Sequence, residues 1–465
     1  MASKRVSRRR VLKAAGAAAV GGASAVLGGD KALALSEVEG QQGAPAVVTN
    51  TQAGRRFRAF VKYSTAPPSV VELRARALEG RLIAVRTEAA QTCYTTVRQV
   101  LLPSANAPNQ PGILGHGGVG IVEAVGPQAT RVRVGDRVMV AFHAACGACH
   151  NCLWMRSDQC VNRGNATAVP IADLDGRTLM SADNTGMCEL MIVQEEHAIP
   201  VFTSVSSVEI SMLTCVGGAG LGMATTNVPV QIASDVVIFG AGPVGLSALQ
   251  GAKIKGASRI IVVEPVPYRR DLAMKLGATH VLDPNQYKRT PRVRPANGFG
   301  RDDARFDDTL LDHIRELVKQ PTDRYWAGGG RVGPDHIMEA AGGDQMPPKE
   351  PAGPDPTGIT TLMQSWELCS RVGTATSCTV GQPENAFVQI PGSQFGDSAR
   401  HWWVGTAGGT NDRRDTPRYV RLMETGQISM KALASRTYPL DQTREAYQVC
   451  ADRTVVATVV TPNIT

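Results

Sequence analysis

Four cysteines crowd one short stretch, Cys146, Cys149, Cys152 and Cys160, spaced C-x2-C-x2-C-x7-C. Four thiolates so placed can surround one ion tetrahedrally and leave no position open, which is the donor set of a structural zinc. Two disulfides are the competing reading, and spacing this tight strains disulfide geometry where zinc tolerates it. Other residues able to do chemistry lie apart in the chain. Cys93 and Thr95 occur in Gln91-Thr92-Cys93-Tyr94-Thr95-Thr96, His116 in Gly115-His116-Gly117-Gly118-Val119-Gly120, and Cys215 in Leu213-Thr214-Cys215-Val216-Gly217. Singly, a cysteine is a small buried residue and a histidine a satisfied polar one, so their meaning depends on what they meet.

A second kind of chemistry is written between residues 235 and 264. Val236, Val237, Ile238 and Phe239 make an apolar run of strand length that stops at Gly240, Gly242 and Gly245, spaced G-x-G-x-x-G, with Pro243 and Val244 opening a helix. A second apolar run, 259–263, ends in Glu264. The first glycine makes the turn, the second lets backbone N–H groups approach a pyrophosphate, and the third permits close helix packing. Glu264 sits where a carboxylate accepts the ribose hydroxyls and repels a 2′-phosphate, so the expected cofactor is NAD rather than NADP. Arg269 and Arg270 read as a solvated helix face.

The elements that must hold these residues alternate in type along the chain. Residues 57–63 and 82–86 suggest strands of a β-rich part, 132–140 a hairpin-like pair, and 186–200 a further strand and turn. A helix is expected after Cys215, and the nucleotide unit continues as helix 272–277 and strand 280–282. A long excursion, 283–334, contains a helix at 309–319; strand 336–339 resumes the sheet, and a second Pro/Gly-rich insertion runs over 342–358. Residues 359–380 predict one more helix and strand, 415–428 a helix, and 455–460 a closing strand. Arg413 and Arg414 read as surface arginines, and Cys188, Cys369, Cys378 and Cys450 as buried free thiols.

At 465 residues, with 43% hydrophobic and 19% charged residues, the chain has the composition of a soluble globular protein with room for two domains. Its formal charge of +8 is mostly local: residues 1–34 carry +6, which leaves +2 elsewhere, and no basic patch with interleaved aromatics supports nucleic-acid binding. Arg8 and Arg9, Leu12, the Ala/Gly-rich run 14–28 and Ala32-Leu33-Ala34 resemble a bacterial twin-arginine export signal. The expected location is therefore periplasmic or extracellular, with the twin-arginine translocase as a partner during export.

After that signal the chain resembles the zinc-dependent medium-chain alcohol dehydrogenase family. The resemblance implies an α/β protein: a Rossmann dinucleotide-binding domain beside a β-rich GroES-like catalytic domain. The implied layout is a signal peptide 1–34, a linker 35–56, catalytic domain 57–225, NAD domain 226–404 and the rest of the catalytic domain 405–465. It implies two zinc ions per chain: a catalytic one on Cys93, His116 and Cys215, with one position open, and a structural one on the four clustered cysteines. Thr95 then falls on the hydroxyl that passes the substrate proton, and an alcohol becomes an aldehyde or ketone by giving hydride to NAD through a zinc alkoxide.

Several positions depart from the family pattern. Gly117 and Thr96 stand where the family has a glutamate beside the zinc and an aspartate that orients the histidine; Ala219 replaces a threonine and Arg98 a relay histidine. Such losses cost roughly tenfold to a hundredfold in metal affinity or activity. A non-catalytic zinc and nucleotide-binding relative is therefore one rival, with restoration of Gly117→Glu and Thr96→Asp as its test. Another is an aldehyde dismutase of the formaldehyde dehydrogenase type, in which an insertion like 342–358 holds NAD without release. A zinc-free quinone reductase is disfavoured by the seven placed ligands. Export without free NAD suggests that NAD leaves tightly bound and passes electrons to an external acceptor. A homo-oligomer is expected.

Overall fold

The computed structural model describes residues 52–104, 106–143, 145–162, 168–181, 185–293, 306–320, 332–342, 360–370, 372–377, 399–404 and 406–463. All belong to one compact unit, Val48–Thr465. Residues 1–34, whose sequence resembles an export signal, together with Cys378 and insertion residues 343–358, lie outside the described residues.

Two sheets form the β-rich part, antiparallel throughout except where Ala434–Tyr438 runs parallel to Ala457–Val460. One runs Gly112–Ile113, Arg56–Lys62, Ser69–Ala75, Pro170–Leu174, Arg177–Met180 in spatial order. The other runs Ala198–Pro200, Arg137–Val140, Gly118–Val125, Leu82–Gln91, Ala457–Val460, Ala434–Tyr438, with Leu190–Gln194 also paired to Leu82–Gln91. Phe57, Ala59, Val61 and Leu73 of the first sheet pack with Leu82, Val122, Val138 and Ile192 of the second, which removes both apolar faces from water. The expected hairpin at 132–140 is a single strand, Arg137–Val140. The residues before it turn at Gly135, whose φ of +96° ends extension there.

The third sheet is parallel, in the order His280–Leu282, Arg259–Val263, Asp235–Phe239, His336–Glu339, Thr374–Ser377, His401–Val404. Numbered along the chain this is 3-2-1-4-5-6, the doubly wound order of dinucleotide-binding folds. Alternation along Asp235–Phe239 explains its burial. Val236 and Ile238 face a core with Leu246 and Leu249 of helix Pro243–Ile254, while Val237 and Phe239 face Leu310, Leu311 and Ile314 of helix Thr309–Val318. Both faces of a parallel sheet must be covered, which is why its strands are apolar runs.

The long excursion carries more structure than a loop. Arg289–Pro291 pairs antiparallel with Phe306–Asp308, and the Asp308 carboxylate accepts N–H bonds from Leu310 and Leu311, capping helix Thr309–Val318. The buried Arg289 guanidinium joins Asp308 at 2.6 Å and Glu367 at 3.0 Å, tying this hairpin to helix Thr360–Leu368. The helix expected over 415–428 is Asp412–Glu424. It starts earlier because the Asn411 side chain accepts the Arg414 N–H as its cap.

Candidate functional site

Cys93 follows the strand Leu82–Gln91 after Thr92 and opens the short turn Tyr94–Thr96. His116 lies in the turn between Gly112–Ile113 and Gly118–Val125, and Cys215 precedes the helix Val216–Gly222. The three meet. Their ligand atoms all lie within 4.8 Å of one another, with Cys93 Sγ 3.9 Å from Cys215 Sγ and His116 Nδ1 3.4 Å from Cys215 Sγ. The Thr95 hydroxyl donates to Cys93 Sγ at 3.1 Å, and the Phe142 ring stacks on the His116 imidazole at 4.2 Å. The Cys215 sulfur chiefly holds the Cys93 thiol well below its ordinary range, with help from His116 and Thr95, and burial opposes them. One sulfur drawn toward thiolate, a second sulfur and an imidazole brought together fit a zinc site of three protein ligands; a sulfur–sulfur edge of roughly 3.8 Å follows from Zn–S bonds of ~2.3 Å.

The four clustered cysteines also converge, with Cys146 Sγ 4.0 Å from Cys152 Sγ, Cys149 Sγ 3.9 Å from Cys160 Sγ, and all four within 4.8 Å. All four are free thiols, and these separations are about twice a disulfide bond. Backbone N–H groups, that of Cys152 foremost, pull Cys149 down to about 6, while burial pushes Cys152 up to about 12 and also raises Cys160. Against burial, the N–H groups of Ala148 and Cys149 bring Cys146 down. Sulfurs this close cannot all ionise unless a cation joins them, so the donor set fits a closed tetrahedral zinc.

The glycine turn of the nucleotide unit shows a division of labour. Gly240 has φ +92°, and a side chain there would press on Ala341 at 3.0 Å. At Gly245 a Cβ would lie 1.9 Å from the Gly240 carbonyl, while at Gly242 it would meet nothing within 4 Å. Two glycines serve packing and one borders open space, as a ligand's approach requires. Pro243 and Val244 open the helix Pro243–Ile254, whose free N–H groups favour an anion. Glu264, buried at the end of Arg259–Val263, accepts the N–H groups of Ala241 at 2.6 Å and Val266 at 2.9 Å.

The arginines read as surface groups are engaged. Arg270 meets Asp283 at 3.2 Å and donates to the Glu264 and Pro265 carbonyls, and Arg269 donates to the Val455 carbonyl at 2.8 Å. Arg414 pairs with Asp415, and burial together with the facing Arg131 lowers Arg413 below its ordinary range. For Arg269 and Arg413 the reason is packing against distant parts of the chain, invisible in local sequence, whereas Arg270 and Arg414 find partners nearby.

The departures near the first zinc site take physical form. Gly117 has φ +72°, and a Cβ there would lie 2.0 Å from the Val140 carbonyl oxygen; a Cβ at Gly186 would lie 2.1 Å from the Gly117 oxygen. A glutamate at Gly117 would thus press directly on the Val140–Ala141 backbone. The Thr96 hydroxyl donates to the Cys93 carbonyl at 2.9 Å, bracing the turn of a ligand, and Arg98 is exposed. Ala219 is buried in helix Val216–Gly222. Sequence reasoning missed the Gly117–Gly186 packing and the fully buried Glu339, whose only signal is an acid that ends an apolar run.

These features define a β-rich part carrying two cysteine sites fit for a metal, beside a doubly wound part of dinucleotide-binding order. Two family models match: the alcohol dehydrogenase GroES-like domain over residues 80–203 and the zinc-binding dehydrogenase domain over residues 243–346. The chain is 26% identical over 367 residues to S-(hydroxymethyl)glutathione dehydrogenase of Haemophilus influenzae, covering 75% of this chain and 82% of that one. It is 25% identical over 388 residues to NDMA-dependent alcohol dehydrogenase of Amycolatopsis methanolica, covering 80% and 90%. In fold it is similar to benzyl alcohol dehydrogenase of Acinetobacter calcoaceticus (TM-score 0.69, 23% identity, 88% of this chain and 99% of that one). It is also similar to a putative zinc-binding dehydrogenase of Sinorhizobium meliloti bound to NADP (TM-score 0.62, 20% identity, 88% and 100%). Together the family models and relatives support an oxidoreductase of the zinc-containing medium-chain alcohol dehydrogenase family.

Proposed function

We propose that this protein catalyses reversible hydride transfer between a small alcohol and NAD, with zinc on Cys93, His116 and Cys215 and a second zinc on the four-cysteine lobe. The observation that carries it is the convergence of those three ligands with the Thr95 hydroxyl 3.1 Å from Cys93 Sγ. When bound, zinc supplies Lewis acidity and the dinucleotide accepts the hydride. Thr95, half-buried, accepts the alcohol proton at Oγ1 as its own hydroxyl proton passes to solvent, without the histidine of a longer relay. Phe142, stacked on His116, fixes the ring and keeps water from that side. The open face at Gly242 and the N–H groups of helix Pro243–Ile254 hold the pyrophosphate, and Glu264 selects NAD by refusing a 2′-phosphate.

Residues 7–34 support export of the folded protein by the twin-arginine route, and we infer that NAD travels bound and that an external acceptor reoxidises it. Metal and nucleotide analysis of the mature protein as isolated tests both readings. Two zinc ions and one nucleotide per chain, with NAD reduced on addition of an alcohol, are expected. One zinc and no nucleotide would overturn the dehydrogenase reading and leave a structural relative. Equal alcohol and acid produced from an aldehyde alone would instead assign a dismutase.

A further inference from the structure

The end of strand His336–Glu339 lies at the same edge of the parallel sheet as the glycine turn, and its last residue is an acid with no exposure to water. Glu339 is nonetheless fully satisfied. Its Oε1 accepts the N–H groups of Ala341 at 3.0 Å and Gly342 at 2.8 Å and the Thr361 hydroxyl at 2.9 Å, while Oε2 accepts the Ser377 hydroxyl at 3.0 Å. One carboxylate thus gathers the loop after its own strand, the first turn of helix Thr360–Leu368 and the end of strand Thr374–Ser377.

What that loop touches gives the arrangement a consequence. Gly240, the first glycine of the turn, packs so closely on Ala341 that a Cβ would meet its Cα and N at 3.0 Å, and a Cβ at Gly245 would contact the Ala340 Cβ at 3.5 Å. The backbone at 340–342 is therefore the wall against which the glycine turn is shaped. Gly342 and Thr361, nineteen positions apart in the chain, thus donate to the same oxygen. Hydrogen bonds to a buried carboxylate are strong and directional, and losing the acceptor strands four donors together.

We propose that Glu339 is a positioning residue for the dinucleotide: it holds 340–342 and Thr361 as a wall that keeps the Gly240–Gly245 turn in its binding shape, without itself touching the cofactor. This rests on the reading of the glycine turn as an NAD site. The test measures NADH binding by fluorescence titration on the zinc-loaded, nucleotide-stripped protein, alongside thermal unfolding. Glu339→Ala should weaken NADH roughly tenfold or more, the weight of a charge-assisted hydrogen bond, and raise the NAD KM more than it lowers kcat. Glu339→Gln, which keeps an acceptor toward 341, 342 and Thr361, should recover most of the affinity. Thr361→Val, which removes one donor and preserves shape, should weaken NADH by a few-fold and decides the matter if Glu339→Ala does not fold. A folded Glu339→Ala, or in its absence Thr361→Val, that binds NADH like the wild type overturns the proposal. Failure of the wild type to bind any dinucleotide overturns instead the nucleotide-site reading on which it stands.

Discussion

Among single residues, Gly117 decides most about the first zinc site. Its left-handed conformation and the 2.0 Å approach of a would-be Cβ to the Val140 oxygen mean that His116 is held by backbone packed on backbone, where a carboxylate would otherwise do the supporting. Gly117→Glu should therefore abolish the site it was expected to restore: zinc per chain should fall from two to one by elemental analysis, with the four-cysteine ion retained. Thr95 makes a separate prediction. Thr95→Val keeps the volume and removes the hydroxyl, so both zinc ions should stay while kcat falls by roughly 10²–10³-fold, the usual weight of a positioned proton-transfer group. An unchanged kcat would show that the proton leaves by another route.

Among the elements, two junctions carry buried charge with different consequences. At the hairpin Arg289–Pro291, Arg289 serves two buried carboxylates, and removing it leaves Asp308 and Glu367 uncompensated. Arg289→Leu should cost about 3–5 kcal/mol, read as a lower midpoint in urea denaturation. At the start of helix Asp412–Glu424, burial, and then the facing carboxylates of Asp415 and Asp158, push the Asp412 carboxyl up to about 8. Its folded value lies above the unfolded one, so the folded protein holds a proton that the unfolded chain releases. This contribution is intact below pH ~4, weakens as pH rises, and is lost once pH passes about 8. Asp412→Asn should remove that slope: thermal midpoints of variant and wild type should diverge steadily from pH 6 to pH 8.5, the variant being the more stable at the upper end.

In the molecule as a whole, two sequence-distant parts close on each other around the nucleotide edge. Gln250 of helix Pro243–Ile254 exchanges hydrogen bonds with the Ser429 backbone, and Tyr268 and Arg269 donate to the Arg453 and Val455 carbonyls. That closure engages Arg269, and within the nucleotide part Asp283 and two carbonyls hold Arg270, so both cations that could have met a 2′-phosphate are taken. With Glu264 unopposed, kcat/KM should favour NAD over NADP by roughly a hundredfold, as a like-charge contact of several kcal/mol implies, and Glu264→Gln should narrow the ratio. Equal use of the two cofactors would show that Glu264 does not face the ribose.

By itself the sequence determined the parts whose chemistry is local. The turn at Gly240, Gly242 and Gly245 lies within one strand–helix unit, and the four cysteines lie within one loop, so spacing alone specified their geometry. Apolar runs of strand length likewise announced a parallel sheet, because both its faces are buried. Tertiary structure alone decided the rest. Cys93, His116 and Cys215 come from three separated turns, and only the fold brings them within 4.8 Å; the family resemblance named them, whereas no periodicity could. The meaning of Gly117 depends on backbone conformation, and the engagement of Arg413 and the bonds of Glu339 to Thr361 and Ser377 depend on neighbours more than twenty residues distant. Side-chain type records what a residue is able to do, and packing decides which partner it meets.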